Sequence, residues 1–175
     1  FSQAYMEQTL CKYPLHARLL VELFEAKFDP AREQPSRTVA DAARKRMARE
    51  LAPLFGEEMD RLHPHLIESI GAVRGEARER QVEAAVKAIG AVMDSVESVD
   101  EDRILRSFMA VIRACLRTSF YQLHDGRPRE VVSYKLDPSK LPDLPKPRPY
   151  REIFVYGPRV EGVHLRFGPV ARGGL

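Results

Sequence analysis

The hydrophobic pattern of this chain changes period once, and the change limits what the chain can fold into. Up to residue 123 apolar residues recur at spacings of three and four, the signature of helices with one buried stripe. After His124-Asp125-Gly126-Arg127-Pro128, a turn signal, they alternate with polar residues instead: Val132, Tyr134 and Leu136 around Ser133 and Lys135, and Val163, Leu165 and Phe167 around His164 and Arg166. Ile153-Phe154-Val155-Tyr156 reads as another strand, turned by Gly157-Pro158. A run of helices followed by a run of strands predicts an α+β fold, mostly α. The expected architecture is a helical bundle over residues 1–123 followed by the first strands of a mixed sheet. The domains expected are a helical region over 1–130 and an incomplete second domain over 131–175.

Within the helical region, Pro14 suits a first helical turn, where its missing N–H costs nothing. Leu19, Leu20, Leu23, Phe24 and Phe28 make one apolar face, and Asp29-Pro30 ends it. Residues 30–37 read as a polar connection. A stripe from Ala40 to Ile70 is interrupted by Pro53, Gly56 and Pro64, which predicts helical pieces with bends. Val82, Val86, Ile89, Met93 and Val96 mark a helix packed on a neighbour. Asp100 is the expected N-cap of the next helix, with Glu101 and Asp102 in its first turn. Its apolar face is broad, so 100–121 is expected to be the central helix, with Ile104, Phe108, Ile112 and Cys115 almost fully buried.

Charge and cysteine content narrow the function classes. The chain carries 28 Lys+Arg against 25 Asp+Glu, a net +3. Residues 131–175 hold eight basic and four acidic side chains, so the excess sits at that end. Nothing in the first 130 residues interleaves basic and aromatic residues as a nucleic-acid groove does. Neither nucleic acid nor a membrane is an expected partner, since no apolar run approaches the ~20 residues of a membrane span. Cys11 and Cys115 lie inside apolar helical patterns and read as buried free thiols, which points to the cytoplasm. Phe1 at one end and Arg172-Gly173-Gly174-Leu175 at the other read as a piece of a longer polypeptide.

Few residue groups suggest chemistry. His63-Pro64-His65 is a metal candidate, but in a helical stretch the two imidazoles point apart, so a bend at the surface is the preferred reading. Arg44-Lys45-Arg46 with Arg49 is diluted by acids and reads as a solvated helix face. Residues 136–150 hold five prolines in fifteen positions. They read as an extended crossover between the helical and β regions rather than a ligand for an aromatic groove. Near the end, Gly173 and Gly174 allow close backbone approach to a ligand, and Arg172 beside them offers a fork suited to a carboxylate. A glycine turn with an exposed arginine is the plainer alternative.

A resemblance adds what composition does not supply. Residues 151–175, REIFVYGPRVEGVHLRFGPVARGGL, closely resemble the segment that opens the catalytic domain of the large bacterial NAD-specific glutamate dehydrogenases. Phe1–Met6, Asp100–Leu105 and Val132–Asp137 resemble that family too, in the same order. In the small glutamate dehydrogenases a Gly-Pro and then a Lys-Gly-Gly run follow a strand, and that lysine holds a substrate carboxylate. Here Gly168-Pro169 and Arg172-Gly173-Gly174-Leu175 lie on that pattern, with arginine for lysine and one extra residue before it. The resemblance implies substrate binding by Arg172, Gly173 and Gly174, with glutamate and 2-oxoglutarate as substrate and product, NAD as cofactor and a homo-oligomeric parent enzyme. It also implies that the catalytic lysine and the cofactor loop lie beyond Leu175, so the segment alone is inactive. Two other classes stay open: a non-catalytic helical interaction or regulatory module, and an RNA-binding domain using the basic end.

Overall fold

A computed structural model of the chain describes residues 1–33, 41–42, 45–46, 48–50, 52–54, 63–73, 76–142 and 144–169. They form two compact units, Phe1–Met109 and Ala110–Leu175.

In the first unit, α1 spans Gln3–Lys12, α2 Pro14–Phe28, α3 His63–Ala72, α4 Arg78–Met93 and α5 Val99–Ala114, which begins there and continues into the second. Ser2 caps α1, its Oγ accepting from Tyr5 N at 3.3 Å. Tyr13 is at once the C-cap of α1 and the N-cap of α2, with Pro14 in the first turn as its fixed φ favours. Asp29 ends α2, and its carboxylate accepts from Ala31 N at 2.9 Å to start a single 3₁₀ turn over Pro30–Arg32.

The core lies where α2 and α4 pack together, with α3 against α4. Leu15, Leu19, Leu20, Leu23 and Ala26 are buried on α2, and Ala85, Ala88, Ile89, Val92 and Met93 on α4. The small alanines let two helix backbones approach closely, so they define the contact line. Val82 and Val86, expected on the buried stripe, are displaced to its half-exposed flank, as are Phe24 and Phe28 on α2. Those two phenylalanines cover each other, with ring centroids 5.1 Å apart.

A charged network lines the other side of α2. Arg32 Nη1 donates to Glu22 Oε1 at 2.7 Å, its Nη2 donates to Glu25, and Arg18 reaches Glu50 at 2.9 Å. Arg78 of α4 donates to the carbonyls of Ala26 and Asp29 at 2.9 and 3.0 Å, which satisfies acceptors that the end of α2 leaves open.

Helix α5 departs from expectation at both ends. Its cap is Ser98, not Asp100: Ser98 Oγ accepts from Glu101 N at 3.4 Å and Ser98 O from Asp102 N at 2.9 Å. It stops at Ala114, because Cys115 to Thr118 pair with another strand, so the helical region ends before residue 123. Ile104 and Cys115 are buried as expected, at 1% and 2% exposure. Phe108 and Ile112 are only partly buried and Val111 is exposed, so the second half of the helix is not a covered central helix.

The second unit is a four-stranded sheet in the order β1-β4-β5-β6, formed by β1 Cys115–Thr118, β4 Val132–Leu136, β5 Arg151–Gly157 and β6 Val160–Arg166. A separate hairpin, β2 Leu123–His124 with β3 Arg127–Pro128, turns through Asp125 at φ 51° and Gly126 at φ 73°. The strands predicted at 132–136, 153–156 and 163–167 are all present. Every pairing in the four-stranded sheet is antiparallel, rather than the mixed sheet expected. The proline-rich stretch joins β4 to its immediate neighbour β5, so it is a long connection inside the sheet and not a crossover from the helices. Neither cysteine forms a disulfide, and Cys11 is exposed rather than buried: α1 buries Thr9 and turns Cys11 outward.

Candidate functional site

The expected substrate-binding residues Arg172, Gly173 and Gly174 lie outside the described residues. What the structure describes is the sheet end from which the chain leads to them. Register places the end of β4, the start of β5 and the end of β6 side by side: Leu136 opposes Glu152, and Arg151 opposes Arg166. Ala114 O accepts from Asp137 N at 2.9 Å, which brings the start of β1 to the same end.

Asp137 is the anchor of this end. Its carboxylate accepts from Ser139 Oγ at 2.7 Å and Ser139 N at 3.2 Å, forming an Asx turn that caps the 3₁₀ turn Pro138–Lys140. Arg151 Nη1 stands 3.6 Å from Asp137 Oδ1. The Ser139 hydroxyl above all, then its backbone N–H, Arg151 and Lys140, hold the Asp137 carboxyl below its ordinary range against the opposing effect of burial. It is therefore ionised and binds cations rather than giving up a proton at neutral pH.

Arg151 is held by three contacts to two neighbours. Its guanidinium lies over the Tyr150 ring, 4.2 Å from the centroid, and Nη1 donates to Tyr150 O at 2.6 Å beside the Asp137 contact. On the next strand Arg166 Nη2 donates to Pro169 O at 3.1 Å, bending the chain where Gly168-Pro169 leads away from the sheet. Lys140, Arg151 and Arg166 here outweigh Asp137 and Glu152 in charge. Such an end attracts anions, and planar guanidinium forks match carboxylates best.

Sequence reasoning missed Asp137 and Arg151. Thirteen residues with five prolines lie between them, and only the antiparallel pairing of β4 with β5 brings them together. Of the other candidates, His65 is exposed on α3, and the side chain of His63 lies outside the described residues, as does Arg44. Arg46 pairs with Glu50 at 2.9 Å, the helix-surface role expected of it. Among the described residues no group of three or more His, Cys, Asp or Glu is placed to hold a metal, and no helix is long and apolar enough to cross a membrane.

Comparison with known proteins gives this sheet end a context. Residues 88–175 match the family model of the bacterial NAD-glutamate dehydrogenase catalytic domain, and residues 1–30 match that of glutamate dehydrogenase helical motif 3. An NAD-specific glutamate dehydrogenase of Mycobacterium tuberculosis is 40% identical over 177 residues, covering 100% of this chain. One from Halomonas elongata is 38% identical over 99% of the chain, and one from Pseudomonas aeruginosa 45% identical over 74% of it. The chain spans 8% of the length of each of these three relatives. Asp137, Arg151 and Arg166 all fall within the catalytic-domain match, and the chain belongs to the bacterial NAD-glutamate dehydrogenase family.

Proposed function

We propose that this chain is a segment of an NAD-dependent glutamate dehydrogenase, which converts L-glutamate to 2-oxoglutarate and ammonia. The observation that carries the reading is the catalytic-domain match over 88–175, supported by identity to the mycobacterial enzyme along the whole chain. In this reading the helices before residue 88 lie upstream of the catalytic-domain match, and residues 131–175 open the substrate-binding part. NAD accepts the hydride from the glutamate Cα, and the residues that bind it and the catalytic lysine belong to other parts of the enzyme.

The contribution of this segment is electrostatic positioning. Arg172 grips a carboxylate of the amino acid with two parallel hydrogen bonds, and Gly173 and Gly174 leave room for the ligand. Lys140, Arg151 and Arg166 add a positive field that favours the dianionic substrate. The parent enzyme is a homo-oligomer that works in amino-acid catabolism in the cytoplasm, in keeping with two cysteines that form no disulfide.

The test is NADH formation by the intact enzyme. Glutamate-dependent reduction of NAD supports the reading. An intact protein without that activity would instead leave a non-catalytic helical module.

A further inference from the structure

The corner between α1 and α2 holds the segment matched by the catalytic-domain model. Residues 1–30 match the helical motif and 88–175 the catalytic domain, so contacts from residues 12–16 to residues 92–101 join the two. Lys12 Nζ donates to both carboxylate oxygens of Glu101, at 2.9 and 2.8 Å, and Tyr13 Oη donates to Oε2 at 2.8 Å. The Glu101 side chain is 10% exposed although Lys12 is 56% exposed. One turn along, His16 Nε2 donates to Val92 O at 2.8 Å, and the Tyr13 ring packs edge-on against His16.

The position of Glu101 makes this contact more than a tether. Ser98 and Glu101 are spaced as a capping box, in which the acid three residues on reaches back to the cap's own N–H. Its carboxylate is instead engaged by Lys12 and Tyr13. The same group thus joins α5 to the α1–α2 corner instead of closing the box on its own helix. Helix α5 then runs unbroken to Ala114, whose carbonyl accepts from Asp137 N, and Cys115 opens β1.

We propose that Glu101 is a positioning residue of the dehydrogenase: gripped by Lys12 and Tyr13, it fixes the start of α5, a helix inside the catalytic-domain match, while touching no substrate. The proposal rests on the dehydrogenase reading. It is tested on the intact enzyme with Glu101→Gln, Tyr13→Phe and the double variant. Arg106→Gln, which breaks only an exposed pair with Asp102 on the same helix, is the control. The expected result is a kcat lowered by about fivefold or more with both KM values unchanged. The double variant should be no worse than Glu101→Gln alone, and hydrogen exchange should be faster across the first turns of α5. A kcat equal to that of the control, or first turns of α5 as protected as in the parent, would overturn it. If the parent enzyme forms no NADH from glutamate, the dehydrogenase reading fails by itself. Hydrogen exchange in Glu101→Gln then still decides whether this carboxylate sets α5.

Discussion

Arg32 and Glu22 form a two-pronged ion pair inside the helical unit, Nη1 to Oε1 at 2.7 Å and Nη2 to Oε2 at 3.2 Å, with side chains 7% and 3% exposed. A pair this deep gains little net stability over apolar residues, yet removing Arg32 takes two hydrogen bonds from the buried Glu22 carboxylate and leaves Arg18 Nη1 3.6 Å away. Arg32→Ala should lower the unfolding free energy by about 3 kcal/mol. Arg106→Ala, which breaks an exposed pair, should change it by less than about 0.5 kcal/mol. Urea unfolding of both variants checks the contrast, and equal losses would contradict the buried pair.

The grip on Glu101 has a pH window. Hydrogen bonds from Lys12 first, then Tyr13, hold the Glu101 carboxyl below its ordinary value of 4.5, and the Glu101 hydrogen bond raises Lys12 above 10.5. A depressed acid contributes stability above its unfolded pKa and loses it as pH falls through the folded one. A raised base does the reverse on the alkaline side. The melting difference between parent and Glu101→Gln should be flat near neutrality and shrink below pH 4.5 and above pH 10.5. Calorimetry across that range checks it.

His16 acts with the opposite sign to a salt-bridged histidine. Burial pushes its pKa below 6.5, against a smaller upward effect of the Val92 carbonyl. Below pH 6.5 the unfolded chain takes up a proton that the folded chain resists, so stability falls as pH falls. His16→Gln should flatten that slope in unfolding measured on either side of pH 6.5. The Val92 carbonyl also accepts from Ser95 Oγ at 2.7 Å, so this substitution does not orphan it.

At the hairpin tip, Gly126 holds φ 73° with open space around an added Cβ. Gly126→Ala therefore tests backbone strain alone, and should cost about 1 kcal/mol in urea unfolding.

Arg172→Ala in the intact enzyme should weaken glutamate use by about ten- to a hundredfold, since its charge-assisted hydrogen bonding to the carboxylate is lost. NAD affinity should stay unchanged. Steady-state kinetics with a melting control checks this. A variant that melts normally and keeps its kcat and KM for glutamate would make Arg172 a turn residue.

The residues that punctuate the chain were legible in the sequence. Pro14 and Asp29-Pro30 bound α2, Asp125-Gly126 turns a hairpin, and alternation at 132–136 and 163–167 marks strands, because each follows from backbone geometry within a few residues. The family was legible in the same way, from runs of adjacent residues. The tertiary structure decided the rest. Cys115, Leu116 and Phe120 continue the period of α5, yet Cys115–Thr118 is a strand, since hydrogen bonds to a partner twenty residues on outweigh a local preference. The buried stripe of α4 runs through Ala85 and Ala88 rather than Val82 and Val86, because close approach to α2 favours small side chains. The meeting of Asp137 with Arg151, and of Glu101 with Lys12 and Tyr13, depends on which elements pair. A local sequence pattern encodes the period of a segment, but only its packing selects the neighbour that each side chain meets.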